Sequence, residues 1–508
     1  MDRVLPPRLR AICDLDMPSA RQYGGRHEYD GLVPDYSRAG VAAAVARLGV
    51  GEPVDDPHDE AHLAVFEDQF RVLYGELEMH RRNPVIHLAA LDLACYDREY
   101  ASEERRMEAR TRHVERWPEA IENAVDSLDM VAPPVAGRLL GSVKGLAQGL
   151  PADGGRAADA ARAAHTRLVA HLGEVAERDE GIDSAVLGGG PFARLMGSAD
   201  GLEVDLGLLA EQARQERDRL LTVLAEATGR IDPERTPFDV CRELVRDHPK
   251  SNGVVDSAGQ WAERLIEFTR LKDLVPYHDG RCVVRVAPES RRWGMAFISL
   301  SAPGEPEGPS VFHVSPPDPD WDPKDIDEWL EIFSATTLPS ITAHEVAPGH
   351  FSHGRAMLRL GSDIRRILRS ESFVEGWAHY AEEMCVEEGF LSDDPRFAIG
   401  MCLEALVRVT RLTCALGIHS GSMTLDEAAR RFAQDTHIVG KGAEAEAGRA
   451  LFDPTYGRYA LGKLAIMDLR ERAQREWGSQ FSLQRFHRAL FDLGAPPLSL
   501  MDVAIARG

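Results

Sequence analysis

Residues 344–383 read HEVAPGHFSHGRAMLRLGSDIRRILRSESFVEGWAHYAEE, and the rest of the chain is organised around this stretch. His344 and His350 bracket a Pro-Gly pair, and Glu345 follows the first histidine directly. Glu371, Glu375, His379 and Glu382 come after an intervening segment. Neutral imidazole and carboxylate both suit a divalent zinc ion, and three such ligands leave one position free for water. A further carboxylate can take that water's proton. Adjacent helical residues point about 100° apart, so Glu345 can act as this base without occupying the metal.

In the usual two-histidine helix the second histidine lies four positions after the first; here it lies at His350, six after His344. A regular helix would carry His350 off the face of His344. Pro348 removes a backbone donor and Gly349 admits unusual dihedrals, so the spacing predicts a kink or bulge at Ala347-Pro348-Gly349 that returns His350 to His344. Downstream, Glu371, Glu375, His379 and Glu382 recur on one helical face. One carboxylate of this face is expected to complete the site. Glu375 is the first choice, because Gly376 beside it lets a neighbouring backbone approach closely, and Glu371 remains the alternative ligand. Glu371 and Glu382 are then expected to orient the histidines, while His353 and His379 read as supporting groups rather than ligands.

These residues also carry a resemblance. HEVAPGH, then EGWAHYAE, then Tyr459-Ala-Leu-Gly462 together resemble the bacterial family catalogued as domain of unknown function 885, described as zinc metallopeptidases with HExxPGH and EGWxxYxE motifs. The likeness extends to Arg82-Asn83-Pro84 and to LGGGPFARLM in the middle of the chain. It implies His344, His350 and Glu375 as metal ligands, Glu345 as general base, and a metallopeptidase-like fold. Many relatives have a histidine directly after the first motif, where this chain has Phe351 with His353 nearby. The family's Tyr-x-x-Gly segment makes Tyr459 the candidate donor to a developing oxyanion. Arg449, Arg458 and Lys463 are candidates for holding a substrate carboxylate.

Composition bounds the reading. The 508 residues carry 59 basic and 82 acidic side chains, a formal net charge of −23, which argues against nucleic acid and an anionic membrane surface as partners. Seven cysteines are scattered singly, with no CxxC pair, so neither a disulfide framework nor a cysteine metal site is expected. The N-terminal MDRVLPPRLRAICDLDMP lacks an apolar core of signal-peptide length, and no run approaches the roughly 18 apolar residues of a spanning helix. The expectation is a cytoplasmic protein with no membrane partner.

Helical periodicity dominates the chain. It appears in residues 36–75, in HLAALDLACYDREY, in an alanine-rich run over 156–178, and over 203–228, 236–249 and 396–418. Residues 101–126, rich in Glu and Arg, read as a solvated helix face. Gly188-Gly189-Gly190 lacks the lysine-serine ending of a phosphate loop and is read as punctuation. Between 275 and 320 the texture changes: RCVVRVAP, GMAFISLSAP and SVFHVSPPDP predict a sheet of two to four strands. An edge strand there could hold an extended peptide, and His313 reads as a strand residue. Pro323 to Leu338 reads as one helix leading into the motif, and Thr424 with Glu427 reads as a capping box.

The sequence therefore predicts a mainly α, large helical metallopeptidase-like fold with a small β-sheet beside the metal-binding helices. One continuous helical architecture with a small β insert is expected, with at most a weak division between an N-terminal helical part, 1–270, and a metal-bearing catalytic part with the sheet, 271–508. The expected function is zinc-dependent hydrolysis of amide bonds in short peptides or peptide-like metabolites. The alternative is a metal-dependent biosynthetic enzyme acting on one small metabolite, since two histidines and a carboxylate also suit Fe2+ in place of Zn2+. A helical binding protein with a vestigial cluster is the third reading. Nothing in the sequence fixes the oligomeric state.

Overall fold

The computed structural model describes residues 4–508 apart from 153–154, 180, 289–290, 293–294 and 306–307. Amphipathic helices carry most of it. Glu103–Ser127 starts on the Ser102 side chain, which accepts from the Arg105 backbone N–H. Its Glu and Arg residues meet solvent, but Val114, Trp117 and Ile121 are fully withdrawn from it. The expected solvated face is thus one side of a helix whose other side is core. That core is shared by Arg156–Ala176, Leu206–Gly229 and the strongly apolar Arg396–His419.

Two predicted helices are broken. HLAALDLACYDREY yields a helix only over Pro84–Leu91, followed by a 3-10 turn at Ala94–Asp97. The Asp92 carboxylate accepts from the Ala94 N–H at 2.9 Å, a side-chain turn that competes with helix continuation. Likewise Pro323 to Leu338 is not one helix. Pro323–Leu330 gives way to a 3-10 turn, and a new helix starts at Leu338. Between them the Ser334 and Thr337 hydroxyls bond at 2.7 Å and Ser334 Oγ accepts from the Thr337 N–H. The capping box at Thr424 and Glu427 is formed.

Among the described residues three strands make one sheet: β1 (Cys282–Val286), β2 (Ala296–Ser299) and β3 (Ser310–Val314). β3 is central, parallel to β1 and antiparallel to β2. Phe312 and Val314 turn inward to pack with Val254, Ala258 and Ala262 of the Val254–Leu271 helix and with Val346, Ala347 and Phe351 of the histidine motif. His313, on the alternate face, stacks on Phe297 at 4.6 Å.

The cores cross residue 270. Leu9, Leu63 and Phe66 near the start pack with Ile364, Ile367 and Leu368, so the N-terminal helices are built against the segment that links the two halves of the motif. Among the described residues no helix is long and apolar enough to cross a membrane.

Candidate metal centre

The chain breaks between the two histidines as their spacing requires. Leu338–Glu345 ends at Glu345, and a second helix, His350–Met357, begins at His350. The turn between them is tight. A Cβ on Gly349 would come within 1.9 Å of the His344 carbonyl oxygen, so only glycine lets this backbone fold back on the preceding helix. Trp377 holds the turn from below: its indole N–H lies 3.1 Å from the Pro348 carbonyl and 3.3 Å from that of Gly349. The two imidazoles end 4.7 Å apart between ring centroids, nearly perpendicular.

Glu371–Glu387 supplies the opposing carboxylate. Glu375 Oε2 lies 3.3 Å from His344 Nε2 and 3.6 Å from His350 Nε2. Glu345 offers an oxygen to the two histidines: ligand-type atoms of His344, Glu345 and His350 all lie within 4.8 Å of one another, a group that does not include Glu375. All three of these residues are buried. Donors about 2.0–2.2 Å from a tetrahedral zinc are themselves separated by about 3.4 Å, so the spacing around Glu375 fits a small divalent cation.

The other nitrogen of His344 is also fixed. Its Nδ1 lies 2.8 Å from Glu382 Oε1. Glu382 is fully buried and also takes bonds from the Ser340 hydroxyl at 2.8 Å and from Arg408 Nη1 at 2.8 Å. A carboxylate on Nδ1 sets the tautomer that leaves Nε2 free to bind metal. Burial and Arg408 push the His344 pKa down, but Glu375 and Glu382 outweigh them and raise it to about 9. Burial would lift Glu375, yet the two imidazoles hold it well below the usual carboxylate range. Burial raises Glu345, a shift that His350 and His344 only partly oppose; a carboxyl moved upward in this way is better matched to accepting a proton near neutrality.

A second helix crossing positions Tyr459. The Glu371–Glu387 and Arg458–Trp477 helices meet through bare backbone at Gly376 and Gly462. A Cβ on Gly462 would lie 1.7 Å from the Ser372 carbonyl oxygen, and one on Gly376 would lie 2.4 Å from the Gly462 carbonyl carbon. One turn before Gly462, the Tyr459 ring lies 6.3 Å from that of His344 and stacks with it at 26°. Among the described residues its hydroxyl has no hydrogen-bond partner, and burial is the largest of the effects raising its pKa.

Other expected residues fall elsewhere. Glu371 is exposed and makes no hydrogen bond or ion pair among the described residues, so it does not orient the histidines. His353 Nε2 lies 3.0 Å from the Gly494 carbonyl and its ring sits between Phe373 and Phe491; burial drives its pKa down to about 3. His379 is buried beside Arg408 and Glu382, 3.7 Å from the latter. Lys463 is corrected most sharply. It has no exposed surface and its Nζ is matched by Glu216 at 2.8 Å and by Glu383. In the sequence it is a candidate for holding a substrate carboxylate, but a partner on the distant Leu206–Gly229 helix claims its charge. Arg449 and Arg458 are partly exposed, and both pair with Asp453. Sequence reasoning missed Arg408, Ser340 and Trp377; only Trp377 had a signal, lying inside the second motif.

These features define a class: a large, mainly helical protein with a small sheet beside a buried histidine–carboxylate cluster. The chain belongs to the family described as bacterial protein of unknown function (DUF885), whose profile matches residues 18–505. Two solved structures share its fold. One, described as a lipoprotein of unknown function from Shewanella oneidensis, has a TM-score of 0.77 at 19% identity and covers 97% of each chain. Another, described as a lipoprotein from Colwellia psychrerythraea, has a TM-score of 0.76 at 15% identity and covers 98% of this chain and 96% of that one. An M32 carboxypeptidase from Deinococcus radiodurans R1 reaches a TM-score of only 0.39 at 12% identity, over 96% of this chain and 95% of its own, an overlap too loose to bear on chemistry. No curated protein matches the chain in sequence. The cytoplasmic expectation is overturned by the first two neighbours: both are described as lipoproteins, which points away from the cytoplasm.

Proposed function

We propose that the protein is a zinc-dependent hydrolase of amide bonds in short peptides or peptide-like molecules. The observation that carries this reading is the convergence of Glu375 Oε2 on both imidazole Nε2 atoms, at 3.3 and 3.6 Å, with Glu345 alongside. His344, His350 and Glu375 would hold the zinc, which when bound polarises a carbonyl and makes water a nucleophile at neutral pH. Glu345 takes the proton from the attacking water and delivers it to the departing amine. The unpartnered Tyr459 hydroxyl donates to the oxygen on which charge develops. Glu382, backed by Arg408 and Ser340, keeps His344 in register. β2, an edge strand packed against the Leu338–Glu345 helix, is suited to align an extended peptide backbone.

The test pairs metal analysis with peptide cleavage. Protein purified from defined medium is expected to carry one zinc per chain and to cleave members of a mixed short-peptide library. Glu345→Gln is expected to keep the zinc and lose about 10²–10⁴-fold in rate. Absence of stoichiometric metal, iron in place of zinc, or equal inertness of wild type and Glu345→Gln would each overturn the proposal.

A further inference from the structure

We propose that Arg369, backed by Tyr23, is a docking point for a single carboxylate on the substrate, beside the metal cluster. This deepens the hydrolase reading and rests on it. The arginines around the cluster are otherwise matched by acids: Arg408 by Glu382, Arg411 by Glu446, Arg449 and Arg458 by Asp453, and Arg291 by Asp92. Arg369 is the exception. Among the described residues it makes no ion pair, although its charge acts on Glu371, and its Nε is shut off from solvent without a hydrogen bond. Leaving a guanidinium nitrogen buried and unpaired is costly, which is the condition expected of a site completed by a ligand.

Its surroundings say where that ligand comes from. The Arg369 guanidinium lies 4.4 Å from the centroid of the Tyr23 ring, over its face. Tyr23 is 38% exposed, so the stacked pair is open to solvent. Arg369 lies two positions before Glu371, the first residue of the helix that carries Glu375, and both carboxylates act on the Tyr23 hydroxyl, so the pair lies beside the cluster. The cation is held on a fixed backbone. Arg369 bridges to Ala495, and the next N–H, that of Ser370, donates to the Ala495 carbonyl at 2.9 Å. The ring is seated by Gly24, where a Cβ would come within 2.9 Å of Ile367.

The charge pattern selects the ligand class. A planar guanidinium matches a carboxylate in a two-bond fork. Glu371 and Glu375, one turn apart and both acting on the Tyr23 hydroxyl, oppose a doubly charged phosphate. An acyl substrate with one free carboxylate near its scissile amide, as at a peptide C-terminus, satisfies both conditions.

The test uses small acids. Succinate, glutarate and adipate offer a second carboxylate to Arg369 at three different spacings from the first, whereas butanoate offers only one. Titrated calorimetrically into zinc-loaded protein, at least one diacid is expected to bind tenfold or more tighter than butanoate. Arg369→Met is expected to abolish that advantage while zinc content, melting temperature and butanoate binding stay unchanged. Arg369→Lys is expected to restore part of it, as a point charge without the fork. In cleavage assays, wild type is expected to prefer peptide acids over their C-terminal amides, and Arg369→Met to lose the preference. The proposal is overturned if no diacid outbinds butanoate in wild type, or if the advantage survives in Arg369→Met. Either result with zinc bound leaves the hydrolase reading standing. If zinc does not bind, that reading fails separately, and the diacid titration of metal-free wild type against Arg369→Met still decides the carboxylate site.

Discussion

Two neighbouring glutamates on one helix, Glu382 and Glu383, point about 100° apart and do different work. Glu382 points to Ser340, His344 and Arg408 and has no exposed surface. Glu383 points to Lys463 and to Arg219, the latter at 2.7 Å, where the Leu206–Gly229, Glu371–Glu387 and Arg458–Trp477 helices meet. Both are buried carboxylates, and each is paired with a buried cation, Arg408 or Lys463. One spends its charge on the orientation of an imidazole that faces the cleft, while the other locks three helices together. Burial and pairing alone therefore do not mark a functional charge; what distinguishes Glu382 is that its network ends on an imidazole whose other nitrogen faces Glu375.

The comparison can be broken from either side. Lys463→Met leaves Glu216 and Glu383 without their shared ammonium, and removing one partner of a buried pair typically costs about 3–5 kcal/mol. Chemical unfolding should register that loss, while zinc affinity per folded molecule stays near wild type. A variant that folds normally but fails to hold zinc would place Lys463 in the site's machinery after all. Glu382→Gln is expected to do the reverse. Loss of the carboxylate behind a metal-binding histidine typically lowers metal affinity about 10–100-fold, read by competition with a chromogenic chelator, with the secondary structure intact by circular dichroism. Unchanged affinity would reduce Glu382 to the role of its neighbour.

The smallest expected effect is on acid stability. Burial raises the Glu383 carboxyl, but Lys463 and Arg219 overcome that and hold it at about 2, against an ordinary value of 4.5. A carboxyl depressed on folding contributes stability that is complete above its unfolded value and is lost as pH falls through its folded one. Wild type should therefore lose stability between about pH 4.5 and 2, and Lys463→Met should show a flatter slope across that window. Equal slopes would show that Lys463 does not depress Glu383.

The same contrast explains what was legible in the sequence. The fold class, the sheet and the return of His350 to His344 were all foreseeable, because periodicity, strand texture and a Pro-Gly pair act locally. Glu375 beside Gly376 was readable because a glycine in mid-helix announces a close neighbour, here Gly462. Lys463 misled because its partner Glu216 lies far away along the chain, and nothing near Lys463 in the sequence announces that contact. Arg369 and Tyr23 carried no local signal. Their pairing exists only because the N-terminal helices pack against the linker between the two motifs.

The glycine-to-glycine crossing has a wider consequence. Where two helices touch through side chains, their separation follows whichever rotamers happen to be populated. Where they touch through main chain alone, it is set by covalent geometry and tolerates no drift. The tyrosine one turn away is thus mounted on something like a machined bearing, and a reaction that depends on its hydroxyl inherits that tolerance.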